Sequence, residues 1–335
     1  MKAYFKNNFS LVSIIIPCRN EEKFIGKCLD SIISQDYPKE RIEVFVVDGM
    51  SGDRTRKIVQ NYGQKYPFIK ILENQKKFTN FAFNIGIKEA KGEAIVLMGA
   101  HASYEKDYVS KCVKYLNKYN VDNIGGVVRA IPVKDTLIAK SIAVSLSSFF
   151  GVGGSYFRLG SKVAREVDTV FGGCYKREVF DKVGLFNENL RRSQDMEFNL
   201  RLKKSGGKIL LAPDIISYYY PQASLKDFLQ HNFNDGVWVT YPLKFKIKIF
   251  SWRHLIPLFL VSGVLGLFVL SFFFLAAKIL FDLLLGSYLL LNLFFSLRIS
   301  IKKGIEYLLV LPIAFVIRHF SYGLGSIFGL IKLAK

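Results

Sequence analysis

Hydrophobic and polar positions alternate in blocks along the first hundred residues. Residues 11–17 (LVSIIIP) form a mostly β-branched run ended by proline, the pattern of a strand buried on both faces. Residues 21–34 place Phe24, Ile25, Cys28, Leu29, Ile32 and Ile33 at helical spacing. A second strand is predicted over 42–47 (IEVFVV), a helix over 53–62, a strand over 69–72, a helix over 80–90 and a strand over 94–98 (AIVLM). Strand–helix alternation at this spacing predicts an α/β fold with a doubly wound, mostly parallel sheet. Ligands of such sheets bind beyond the carboxyl ends of the strands. The polar residues that follow each strand are therefore the first candidates: Arg19-Asn20-Glu21, Asp48 and Asp53, and Gly99-Ala100-His101.

Beyond residue 250 the pattern changes to long apolar stretches at 255–277, 279–297 and 307–331. The first carries no formal charge and is long enough to cross a hydrocarbon core of about 30 Å as a helix. The second follows Lys278 directly, which predicts a tight hairpin. The third contains Arg318 and His319, costly at mid-bilayer, so residues 318–330, with Gly323, Gly325 and Gly329, are expected in the interface or lining a protein cavity. The basic flanks at 244–253 and 298–303 place residues 1–250 on the cytoplasmic side under the positive-inside rule. The expected organisation is a cytoplasmic catalytic domain over 1–240, a basic juxtamembrane linker over 241–254, and a multi-pass membrane region of two or three helices over 255–335.

Composition narrows the partners. The net charge is +20, from 47 Lys and Arg against 27 Asp and Glu. Basic residues are scattered, with no basic helix interleaved with stacking aromatics, so nucleic acid is not an expected partner. Anionic membrane lipid at Lys244, Lys246, Lys248 and Arg253, together with a phosphate-bearing substrate, accounts better for the charge. Cys18, Cys28, Cys112 and Cys174 have no zinc-ligand spacing and read as free thiols. The polar Met1–Ser10 stretch predicts no signal peptide.

The segments PCRNEE (17–22), VVDGMSGDRT (46–55), NIGIKEAKG (84–92) and QDMEFNLRLKKSG (194–206) resemble family 2 glycosyltransferases of the GT-A fold. AHASY (100–104), GVGGSYFR (151–158), VDTVFGG (167–173) and QHNFNDGVW (230–238) resemble the membrane-attached succinoglycan and exopolysaccharide branch. The resemblance spans roughly residues 11–240 with collinear motifs. It implies an inverting transferase that moves a sugar from a nucleotide-sugar donor, UDP-linked, to a lipid-linked or saccharide acceptor in cell-surface polysaccharide synthesis.

On that resemblance Pro17, Arg19 and Glu21 line the nucleotide pocket, with Asp48 at the base and Asp53 near the ribose. Asp48 closing a turn and Asp53 capping a helix is the alternative. Asp195, in the Gln194-Asp195 pair, is the expected general base, because an inverting displacement needs a carboxylate to take the acceptor proton. Gly172 and Gly173 resemble an acceptor-side floor, and Gln230, His231 and Trp238 a degenerate form of the loop that closes over donor and acceptor. The family ends its fourth strand with Asp-x-Asp or Asp-Ala-His, whose carboxylates hold a divalent cation on the donor phosphates. Here the triplet is Gly99-Ala100-His101, leaving His101 as the expected ligand of Mn2+ or Mg2+, with imidazole better suited to Mn2+. Cationic side chains replacing the metal, and a structural role for His101, stay open. A polyprenyl-phosphate sugar synthase is a second reading of the whole chain, and a catalytically impaired nucleotide-binding scaffold a third.

Overall fold

The computed structural model describes residues 10–250 and 252–333, so most of the polar N-terminal stretch read for a signal peptide lies outside the described residues. The chain divides into two compact units, one of residues up to 129 and 160–219, the other of residues 130–159 and 220 onward.

The first unit carries a sheet whose strands are β1 (Val12–Cys18), β2 (Ile42–Asp48), β3 (Ile69–Glu73), β4 (Ala94–Leu97), β5 (Ala102–Tyr104), β6 (Asn123–Ala130), β7 (Arg165–Glu166), β8 (Phe171–Lys176) and β9 (Ile209–Tyr219). They run in the order β3-β2-β1-β4-β8-β6-β9-β5, with β7 beside β9. The first four are parallel, with Val12 opposite Ile42 and Ala94, while β8 pairs antiparallel with β4. The sense of the sheet therefore reverses at the β4–β8 junction. The connecting helices are α1 (Ile25–Ile33), α2 (Thr55–Lys65), α3 (Thr79–Glu89) and α4 (Tyr108–Tyr119), with α8 (Glu178–Val183) and α9 (Gln194–Lys204) later in the unit.

Period-two alternation along β1 explains why its run is apolar throughout. Ile14 and Ile16 join one buried cluster with Ile25, Cys28, Leu29 and Ile32 of α1 and Val59 of α2, while Ile15 meets Gly86 of α3. Both faces of the strand are covered, as a doubly wound sheet requires.

The second unit contains α5 (Leu137–Ser145), α6 (Phe149–Val152), α7 (Tyr156–Leu159), α10 (Leu225–Thr240), α11 (Trp252–Leu270), α12 (Leu275–Lys303), α13 (Leu311–Val316) and α14 (Tyr322–Ile331). Residues 130–159 and 220–240, which the sequence reading grouped with the sheet, cluster with these C-terminal helices. Small residues explain much of this for α10. A Cβ on Gly236 would lie 2.0 Å from Tyr322 O, and one on Gly325 2.0 Å from Phe233 O, so the backbones of α10 and α14 are in direct contact.

Among the described residues three stretches are long and apolar enough to cross a membrane: Trp252–Leu270, Leu275–Lys303 and Leu311–Ile331. The hairpin turn falls at residues 271–274, not at Lys278. Ser271 Oγ donates to Phe268 O at 2.6 Å and Phe274 is extended, ending α11 inside a run (SFFFL) without glycine or proline. Lys278 instead lies in the first turn of α12, 3.0 Å from Asp282. Arg318 and His319 face protein, as one of the two expectations for them had it. Arg318 Nε donates to Gly151 O at 2.8 Å, and His319 bonds Phe150 O at 2.8 Å and Tyr288 at 3.1 Å.

The α10–α14 contact predicts a contrast between two glycines. Gly325→Ala forces the backbones apart and should cost about 1–3 kcal/mol. Gly266→Ala, where a Cβ meets nothing within 4 Å, should be neutral or stabilising by about 1 kcal/mol through helix propensity. Thermal unfolding of the detergent-solubilised chain checks both, and equal melting temperatures for the two variants would contradict the packing account.

Candidate functional site

A cleft of about 430 Å³ opens at the carboxyl ends of β1 and β4, where the sheet reverses. Ten of the residues singled out in the sequence line it: Pro17, Arg19, Glu21, Gly99, Ala100, His101, Gly172, Gly173, Gln194 and Asp195. They come from four separate segments of the chain, brought together by strand order.

The wall after β4 is fixed by its own backbone. Gly99 N donates to the Tyr104 hydroxyl at 2.8 Å, and Tyr104 is buried. Burial, together with the neighbouring Cys28 thiol, pushes the Tyr104 phenol well above its ordinary range against the opposing pull of the Gly99 N–H, so it stays neutral. Its ring meets Tyr108 edge-on, centroids 4.9 Å apart. The Tyr108 hydroxyl in turn donates to Gly172 O at 2.5 Å. Gly172 has φ +61, and a Cβ there would lie 2.6 Å from that hydroxyl, so glycine is required at this point.

His101 Nδ1 lies 3.1 Å from Glu21 Oε1, and its ring meets Tyr219 edge-on at 5.3 Å. Glu21 is anchored through its own N–H, which donates to Thr55 Oγ1 at 2.7 Å. The two side chains therefore present one imidazole and one carboxylate to the cleft.

The opposite wall is the start of α9. Ser193 adopts φ +59, turning the chain so that Gln194 and Asp195 open the helix. Asp195 is exposed in the first turn of α9. Tyr175, also lining the cleft, has its phenol pushed up by burial and then by the charge of Asp195. Gln194 Oε1 is buried with no partner among the described residues. Such an orphaned acceptor is costly unless something fills it. The helix is held by an Asn199 relay: Asn123 and Tyr175 donate to Asn199 Oδ1 at 3.2 and 3.0 Å, and Asn199 Nδ2 donates to Thr169 at 3.0 Å. Buried Glu197 pairs with the partly exposed Arg201 at 2.6 Å on α9, a structural role.

Asp48 and Asp53 do not line the cleft. Asp48 is fully buried at the end of β2 and accepts from the Ser51 N–H at 3.2 Å and from its hydroxyl at 2.5 Å, closing a turn. Its charge adds to burial in pushing the Cys18 thiol up. Asp53 accepts from Thr55 N at 3.0 Å and Glu22 N at 3.2 Å at the start of α2. Desolvation raises its pKa, but these hydrogen bonds outweigh it and hold the carboxyl below its usual range. Gln230, His231 and Trp238 lie on α10 in the second unit. There His231 Nε2 sits 3.3 Å from Asp235, Gln230 bonds Asn234 at 3.2 Å, and Trp238 meets Tyr241 edge-on.

Sequence reasoning missed Lys77, Phe78, Phe83 and Phe171 in the lining. Lys77 reaches the cleft from a left-handed residue in a turn built by buried Asn74, whose Nδ2 donates to Phe78 O at 2.8 Å. The ENQKK run before α3 was the available signal, since a polar turn after a parallel strand belongs to the ligand edge.

A divalent cation would have Glu21 and His101 as its protein donors. Among the described residues no group of three or more His, Cys, Asp or Glu gathers to hold one. An imidazole–carboxylate pair suits Mn2+ better than Mg2+, and two protein donors leave positions for diphosphate oxygens and water. The pair fits a cation shared with the substrate, not one caged by protein.

The glycosyl transferase family 2 model matches residues 13–184. A Methanococcus voltae dolichyl N-acetyl-alpha-D-glucosaminyl phosphate 3-beta-D-2,3-diacetamido-2,3-dideoxy-beta-D-glucuronosyltransferase is 31% identical over 332 residues, covering 96% of this chain and 98% of the relative. The succinoglycan biosynthesis protein ExoA of Rhizobium meliloti is 26% identical over 268 residues, covering 73% and 80%. Among solved structures, the mannosyltransferase PcManGT of Pyrobaculum calidifontis in complex with GDP-Man and Mn2+ aligns with a TM-score of 0.64 at 19% identity, covering 97% of this chain and 88% of that one.

The hydrogen bonds to Asp53 predict a pH-dependent stability. Asp53→Ala should cost about 1 kcal/mol at neutral pH by removing the acceptor at the start of α2. Because the native carboxyl titrates low, its contribution is full above about pH 4 and is lost as pH falls through the lowered native value. Melting temperatures of the two proteins should therefore converge below that range, and a gap that persists at low pH would refute the charge-dependent part.

Proposed function

The chain belongs to glycosyl transferase family 2 and is a glycosyltransferase of GT-A fold, and from that premise we propose that it transfers a sugar, with inversion, from a nucleotide diphosphate donor to a saccharide carried on a membrane lipid. The observation that carries the reading is the single cleft lined by Asp195 and, on other segments, by His101 and Glu21. The membrane-length helices and the Methanococcus relative, named for a dolichyl phosphate-linked sugar, support a lipid-linked acceptor over a free saccharide. On this reading the helices cross the membrane and the sheet unit faces the cytoplasm.

Pro17, Arg19 and Glu21 receive the nucleotide, with uracil the expected base. Asp48 and Asp53 act from behind that wall by fixing the turn between β2 and α2. Lys77 and Arg19 supply positive charge for the diphosphate. A divalent cation, Mn2+ before Mg2+, would be held by His101 and Glu21 and would supply positive charge against the diphosphate leaving group. Asp195 takes the proton from the acceptor hydroxyl as that oxygen attacks the anomeric carbon, and the carbon–oxygen bond to the diphosphate breaks on the opposite face. Gln194 Oε1 accepts a hydrogen bond from the bound sugar, which supplies the partner it lacks in the free chain. Gly172 and Gly173 let the acceptor ring approach the backbone.

Asp195→Asn should lower turnover by about 10²–10⁴-fold while nucleotide affinity, measured by calorimetry, stays unchanged. Retained turnover removes the base assignment. Chelator should abolish transfer, with Mn2+ restoring it better than Mg2+, and His101→Ala should raise the Mn2+ concentration needed. Full activity in chelator would mean that Lys77 and Arg19 neutralise the diphosphate alone.

A further inference from the structure

Two arginines of the second unit converge on one short loop. Arg318 Nε donates to Gly151 O at 2.8 Å and Arg253 Nη1 reaches Gly154 O at 3.4 Å. Arg253 lies in the first turn of α11, where a membrane-length helix begins. Arg318 lies in a π-helical turn, Ile317–Ser321, inside the third apolar stretch. Turns of that kind are frequent at functional sites.

The loop itself is built to be open. Ser148 Oγ accepts from Gly151 N at 3.2 Å, capping α6, and Gly153 then turns the chain away at φ +58. A Cβ on Gly153 or Gly154 would meet nothing within 4 Å, so the backbone is accessible there. The nearby carboxylate of α10, Asp235, pairs with His231, and Asn232 on the same helix accepts from Arg318. Guanidinium groups at a membrane boundary are expensive, and here two border the same four residues.

The surroundings supply the other half of the match. Phe149 is 63% exposed beside the loop, and Trp252, Ile256 and Phe259 are exposed at i, i+4 and i+7 along α11. The Trp252 and Phe259 rings lie 5.7 Å apart. An accessible cationic loop continuous with an exposed apolar helix face matches an anion attached to a long hydrocarbon chain.

We propose that Arg253 and Arg318, with the Gly154 N–H, bind the phosphate of a polyprenyl-type lipid whose chain lies along Trp252, Ile256 and Phe259. Guanidinium forks match phosphate oxygens in geometry as well as charge. The site binds without chemical change, leaving the phosphate ester intact. The inference rests on the lipid-linked acceptor proposed above and assigns where its phosphate is held.

The test uses the full chain in phosphatidylcholine nanodiscs, titrated with a C55 polyprenyl phosphate. Phosphatidylglycerol and the unphosphorylated C55 alcohol serve as comparison lipids. Tryptophan fluorescence is a suitable readout, since Trp252 is one of only two tryptophans. Polyprenyl phosphate should bind saturably, and Arg253→Gln should weaken it about 10–100-fold, the loss of one or two charge-assisted hydrogen bonds. Arg253→Lys should recover part of that loss, and nucleotide affinity should not move in either variant. Arg253→Gln is the primary variant because Arg318→Gln removes the bonds to Gly151 O and Asn232 and can unfold the unit.

Equal binding of the alcohol, equal affinity for phosphatidylglycerol, or unchanged affinity in Arg253→Gln each overturns the site. The two proposals fail separately. Phosphate-dependent binding without sugar turnover on any lipid-linked saccharide upholds the site and rejects the acceptor reading. Turnover with an unchanged acceptor KM in Arg253→Gln does the reverse.

Discussion

The cleft depends on two buried tyrosines. Tyr104 accepts the Gly99 N–H and Tyr108 donates to Gly172 O, so the edge-on pair ties the turn after β4 to the entrance of β8. These are the strands across which the sheet reverses direction. At such a reversal the connections leave on opposite sides and the backbone would otherwise part. Each hydroxyl is buried, and each has a backbone partner, so neither carries the penalty of an unsatisfied polar group. The aromatic bodies supply apolar area while the two oxygens fix two backbone positions. Apolar residues of the same size could fill the space but would leave both walls unregistered.

The second unit solves a different problem. Its polar groups, the buried Asn292 and Asn232 and the half-buried Arg318 and His319, lie among apolar helices where unsatisfied donors are penalised heavily. Each finds a partner in a loop, a helix break or a neighbouring side chain: Arg318 on Gly151 O, His319 on Phe150 O, Asn292 on Pro312 O. Phe150 is wedged among Phe295, Phe315 and His319, its ring 4.8–5.0 Å from each. Residues 130–159 are thus fastened to the C-terminal helices by both packing and hydrogen bonds. Glycines in α10 and α14 bring backbones close enough for this to close. The apolar tail is thereby an integral layer of the unit, with its own internal polar scaffold.

The early strands and helices were legible because local pattern and tertiary environment agree there. β1 and β2 are apolar on both faces, and each following helix carries an unambiguous buried stripe. The collinear motifs brought the same residues to attention that the strand ends then gather. What failed to show was determined by distant contacts. Nothing local in AHASYEKDY distinguishes Tyr104 and Tyr108 as braces, since their partners are Gly99 and Gly172. Lys77 lay between named motifs and was passed over. Asp48 and Asp53 carry the same letters whether a carboxylate meets a ligand or a backbone N–H, and only geometry separates the two. The hairpin turn at 271–274 was invisible because it breaks the helix without a breaker residue, and hydropathy ran straight through it.

The glycine at position 99 is the sharpest departure from the pattern of related motifs, and its surroundings say what kind of departure it is. Its φ is ordinary, and a Cβ there would meet only the Phe171 ring, at 3.8 Å. A Cβ is accommodated there, so neither backbone strain nor a clash at the first side-chain carbon requires glycine. The consequence is electrostatic. Glu21 faces His101 at 3.1 Å, while Arg19 and Lys77 line the same cleft. Removing one anion from that set leaves the wall more positive toward an incoming diphosphate and removes a ligand that would hold a cation without substrate. On the proposed reading, affinity for a cation and for the donor would depend on each other, because Glu21 and His101 alone leave coordination positions for the donor's oxygens.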